Sequence, residues 1–196
     1  MKNSKIKRMV SVALLMALVL VMQMLSGIIP PIGGFSISLV LIPIVLGAAV
    51  FGPGVGALLG ATFGVIVYIN CWTGVDPFGA IILQANPILC FAVVMCKGIF
   101  AGAVSGIMYR LLCKVNGYVA MLIAAIVCPV VNTGIFVFSL LTLFKDALPE
   151  LMGLAQVKDE FTLIMSVILL FNFVPELIIN VVFSPAGQRI YNVVKK

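Results

Sequence analysis

Lys97 and Glu176 are ionisable side chains set inside long apolar runs, and Asn132, Asn172 and Asn180 share such runs. A charge at membrane depth is costly and marks a site that pairs, binds or relays. An ammonium at Lys97 suits a carboxylate or phosphate, while amides donate and accept. That chemistry is recognition of a small polar ligand rather than bond breaking. Asn172, Glu176 and Asn180 are spaced i, i+4, i+8 and so share one helix face. The face must turn into a bundle, because lipid offers no partners. Asn180 lies toward the inner end and reads as structural. Pro175 removes one donor and is expected to kink the helix.

Counting along the helix puts Lys97 about 15 Å from Pro87, near the middle or outer half of a membrane. Three readings of Lys97 stay open: a buried ion pair with Glu176, snorkelling toward the outer surface, or contact with an anionic ligand group. On the last reading Trp72, Asn86, Lys97, Asn132, Asn172 and Glu176 are the candidate substrate-binding residues. Trp72, Phe78 and Phe91 would supply an aromatic wall, since ligand pockets are mostly apolar with a few placed polar groups.

The elements that must position these groups are membrane spans. The chain is 63% hydrophobic and only 9% charged, against about 25% charged in soluble domains. A span needs about 20 apolar residues, and the runs 9–29, 36–52, 54–71, 87–112, 118–143 and 161–184 qualify or come close. Phe51-Gly52-Pro53-Gly54 turns the second run into the third. The run from Met9 exceeds a signal-peptide core, and no A-x-A-like site follows, so a retained helix is expected.

The remaining charges are sorted by sign. Lys2, Lys5, Lys7 and Arg8, then Arg110 and Lys114, then Arg189, Lys195 and Lys196, fall on one side of six crossings. Asp76, Asp146, Glu150, Asp159 and Glu160 fall on the other, with only Lys145 and Lys158 among them. The positive-inside rule then puts both termini in the cytoplasm. The fold expected is one all-α membrane domain over 1–196, a bundle of six transmembrane helices.

Other function classes lose support. The +6 balance sits at span ends, as headgroup-facing residues do, rather than in a nucleic-acid patch. Histidine is absent, and no G-x-S-x-G or metal-ligand cluster occurs, so neither an enzyme nor a metal site is expected. Five cysteines without framework spacing read as packing residues. No phosphate-binding loop of the G-x-x-x-x-G-K-[ST] type is present, so ATP hydrolysis by this chain is not expected. Gly56, Gly60, Gly64 and Gly98, Gly102, Gly106 form two ladders at i+4 spacing, suited to close helix approach in lipid.

These features meet in a resemblance. Lys7-Arg8 followed by A-x-x-x-A at Ala13 and Ala17 resembles the first helix of the substrate-binding S components of energy-coupling factor (ECF) vitamin transporters. Ile42 to Gly60 is similar to their second and third helices, Lys97 to Arg110 to the fourth, and Asn172 to Pro185 to the last. The resemblance implies a subunit that captures a vitamin or vitamin precursor from outside and topples to release it inward. It implies no cofactor, and as partners a transmembrane T subunit and two ABC ATPases in a prokaryotic cell membrane. It assigns Ala13 and Ala17 to T-subunit contact, and Pro30, Pro31, Gly33 and Gly34 to a gating loop. Lys97 favours an anionic substrate, for example a pantothenate-like one. The alternative is a self-sufficient secondary carrier or channel, a class that often shows internal repeats; none is evident here.

Overall fold

The computed structural model describes residues 2–28 and 39–194, and among them every regular element is helical. In chain order these are α1 (Lys2–Ile28), α2 (Leu41–Phe51), α3 (Pro53–Thr73), α4 (Pro77–Ala85), α5 (Pro87–Leu112) and α6 (Gly117–Leu143). A short 3₁₀ turn (Lys145–Ala147), α7 (Leu148–Ala155) and the long α8 (Glu160–Val194) complete it. Of these, α1, α3, α5, α6 and α8 are long and apolar enough to cross a membrane. At 11 residues α2 rises only about 16 Å, short of the ~30 Å hydrocarbon core. It does not cross by itself.

Caps and prolines set the boundaries. Asp76 Oδ1 accepts from Gly79 N at 3.0 Å to start α4, and Pro77 follows it at the first helical position. Asn86 repeats the device before Pro87, accepting from the Ile88 and Leu89 amides. Asn116 and Asp159 cap α6 and α8 in the same way. Each such cap satisfies amides that the helix leaves unpaired, and proline there has no donor to lose. Gly52, at φ 102°, makes the corner between α2 and α3 in a backbone region that side chains disfavour.

The two glycine ladders meet each other. A Cβ on Gly56 would collide with the Gly102 carbonyl and one on Gly60 with that of Gly98, and the reverse substitutions collide equally. The backbones of α3 and α5 are therefore in direct contact, the close approach expected of such faces. Ser105 Oγ donates to Ala124 O at 3.1 Å and ties α5 to α6 in the buried core.

Two features depart from the sequence reading. The connection before Asn86 contains a helix, α4, whose Phe78 and Ile82 are buried. Ahead of Pro175, α8 contains an 11-residue π-helical stretch, Leu163–Phe173. It ends just ahead of the proline, which cannot donate and whose ring crowds the carbonyl one turn back. Cys71, Cys90 and Cys128 are buried packing residues, whereas Cys96 is exposed.

The charge sorting has a physical counterpart. Arg8 of α1 donates from Nη2 to Phe51 O at 3.3 Å, so the start of α1 and the α2–α3 corner share one end of the bundle. Arg110 packs on Gly52 at that same end. Asp76, α4 and α7 lie at the other, where α4 touches α7.

Candidate functional site

A cavity of about 80 Å³ lies between the helices at the acidic end. Lys97 enters it from α5, Asn132 from α6, and Asn172 and Glu176 from α8. Four of the six candidate residues therefore share one space. The π-helical stretch carries Asn172 to the same wall as Glu176, while Asn180 turns its Nδ2 to the Glu176 carbonyl at 2.8 Å and braces the helix.

Lys97 Nζ stands 5.0 Å from the Phe136 ring centroid and 5.9 Å from that of Phe63. Both distances fall within cation–π range, which partly replaces lost hydration. Phe63 and Phe78 are buried in the lining, and Phe144 joins them. The aromatic wall is therefore Phe63, Phe78, Phe136 and Phe144. Of the expected set only Phe78 belongs to it.

Trp72 and Asn86 are placed elsewhere. Trp72 is 64% exposed and meets Tyr68 edge-on at 6.4 Å, in a cluster completed by Phe91. Asn86 is exposed and its carbonyl is used as the α5 cap. Pro30, Pro31, Gly33 and Gly34 lie outside the described residues. Ala13 and Ala17 are exposed on one face of α1, while Val19, Gln23 and Ser26 of that helix are buried.

Four lining polar residues were not singled out from sequence: Gln23, Asn70, Thr133 and Ser139; a fifth, Asp76, was read there only as an outward-facing acid. Three of the cavity's side-chain oxygens are buried with no hydrogen bond from the described residues: Gln23 Oε1, Asn132 Oδ1 and Thr133 Oγ1. Asp76 adds a carboxylate at the rim, held by its cap bond. Burial raises its pKa above the ordinary carboxylate value, and the Gly79 and Phe78 amides and the Lys97 charge offset that only in part.

The arrangement is an ammonium over aromatic rings, orphaned acceptors from α1 and α6, and two carboxylates. It can hold a ligand by charge and hydrogen bonds. Among the described residues no group of three or more His, Cys, Asp or Glu is placed to hold a metal ion.

The family described as "ECF transporter, substrate-specific component" matches this chain over residues 7–186. No curated protein matches it.

Proposed function

The chain belongs to the family of ECF transporter substrate-specific components, and from that premise we propose that the cavity around Lys97 is its substrate site. The family is one of transporter subunits, not enzymes. The observation that carries the reading is the set of orphaned oxygens on Gln23, Asn132 and Thr133, which face the same space as Lys97. A buried polar atom left unsatisfied costs about 1–3 kcal/mol. A ligand with hydroxyl or amide donors removes that cost.

The ligand we infer carries an anionic group for Lys97 and N–H or O–H donors for the orphaned acceptors. A pantothenate-like vitamin precursor has both. At about 80 Å³ the cavity is smaller than the roughly 300–1,000 Å³ of drug-sized sites. Binding therefore requires its walls to part. We place that opening at α4, which is short and sits at the acidic rim.

In this reading the chain crosses the membrane six times, with both termini in the cytoplasm of a prokaryotic cell. The residues 30–34 form the gating loop, and the exposed Ala13 and Ala17 meet the T subunit, which works with two ABC ATPases.

Native mass spectrometry of the purified chain, with identification of any released small molecule, tests the site. We expect one anionic vitamin-like molecule per chain, and Lys97→Ala to weaken its binding by about 10- to 100-fold, the loss of one charged hydrogen bond. Equal affinity in the variant removes Lys97 from the site.

A further inference from the structure

A second cavity, of about 630 Å³, opens at the basic end of the bundle between α1, α2, α5 and α8. It is larger than the cavity at Lys97 on the same measure. Lys7, Arg8 and Arg110 line it, with Tyr109 and Tyr191 forming part of the wall and Ala49 and Val50 part of its apolar floor. Two of the three cations are anchored. Arg8 Nη2 donates to Phe51 O at 3.3 Å, and the Arg110 guanidinium lies against Gly52, where a Cβ would displace it. Tyr109 is fixed by its hydroxyl, which donates to Gln188 Oε1 at 3.0 Å, and its ring lies 5.1 Å from that of Tyr191.

Among the described residues, no side-chain carboxylate lines this cavity. The sequence has six acidic residues, and all six are elsewhere. Asp76 and Glu176 face the other cavity, and Asp146, Glu150, Asp159 and Glu160 lie in the connection after α6 or at the start of α8. Among the described residues, three cations thus converge on one space with no side-chain carboxylate in its lining to balance them. Like charges held together are unfavourable, and an anion bound among them reverses the sign of the interaction. Two guanidinium groups present planar donor pairs that match phosphate oxygens, and the lysine adds a point charge. The volume falls within the range of small-molecule sites.

We propose that this cavity binds a phosphate-bearing anion, either the headgroup of an anionic phospholipid or a free phosphate ester. The apolar floor suits the glycerol and acyl stem that follows a lipid phosphate. Basic pockets between membrane helices commonly take anionic headgroups. The site is separate from the one at Lys97 and does not depend on what that site binds.

Two arms test it and separate the sources. The full chain in a zwitterionic detergent is titrated with phosphatidylglycerol or phosphatidylcholine, and bound lipid is counted by native mass spectrometry. In parallel, inorganic pyrophosphate is added without lipid and the melting temperature is followed. A lipid site retains one phosphatidylglycerol where phosphatidylcholine is not retained, and Lys7→Gln and Arg110→Gln each weaken this about tenfold or more. A free-anion site shows instead a pyrophosphate-dependent rise in melting temperature that the same variants abolish. Lys114→Gln, at the same end but outside the lining, leaves either effect unchanged. Should Arg110→Gln fail to fold, Lys7→Gln decides, because Lys7 is exposed. The proposal is overturned by the absence of both effects, or by equal losses in Lys114→Gln.

Discussion

At the scale of single residues, the structure separates polar groups that support helices from those that face a cavity. Asp76 does both, and its pH behaviour follows. Burial favours its protonated form, so the folded chain holds that proton more tightly than the unfolded chain does. Stability contributed by this group is then greatest in acid and falls as pH rises from about 4, the unfolded value, through the raised folded value. Asp76→Asn keeps the cap acceptor and removes the charge. We expect its melting temperature to match wild type near pH 4 and to exceed it at pH 8; a variant less stable at pH 8 would show that the carboxylate itself stabilises the fold. Lys97, Asn132, Asn172 and Glu176 were legible in sequence because a charge or amide in an apolar run needs a reason. Gln23, Thr133 and Ser139 were not, because a single small polar residue in an apolar helix gives no hint of which neighbour it meets. Asn86 was legible in the wrong sense. Its place before Pro87 is a cap signature, and that use takes its carbonyl.

At the scale of elements, the α3–α5 contact is the most constrained part of the fold. Gly98→Val would drive side-chain atoms into the Gly60 carbonyl, and we expect a loss at or above the roughly 1–3 kcal/mol of overpacked cores, read as a lowered melting temperature in detergent. Gly134 of α6 is a control of opposite sign. Nothing lies within 4 Å of a Cβ built there, so Gly134→Ala should stabilise by up to about 1 kcal/mol through helix propensity. The limits of α5 and α6 were readable to within a residue from Pro87 and the apolar runs. α4 was missed because nine residues between two proline caps are too few to display a period. The π-helical stretch has no sequence signature beyond the proline that follows it.

At the scale of the whole molecule, α1 has two faces with different duties. Gln23 reaches the inner cavity, while Ala13 and Ala17 stay exposed among large apolar neighbours such as Leu14 and Leu18. Under the proposed coupling role, Ala17→Trp leaves ligand affinity unchanged and abolishes ATP-driven uptake in proteoliposomes containing the partner subunits. Normal uptake would remove the assignment. Helix content and the sorting of charge were visible at this scale from the apolar runs and the order of charged residues between them. The small size of the cavity was not, since it depends on how α4 folds back over the bundle.

The segregation of charge also makes the bundle an electrical object. Lys7, Arg8 and Arg110 gather at one end, and Asp76, with the acidic residues beside α7, at the other. In a membrane held negative on one face, moving one elementary charge across is worth about 2.3 kcal/mol per 100 mV. The basic end is drawn to the negative face and the acidic end to the positive one, so the two ends pull in the same sense. Under the proposed orientation, with the basic end on the negative face, any tilt that carries either end toward the middle of the bilayer works against the field, and the resting voltage acts as a restoring spring on the upright bundle.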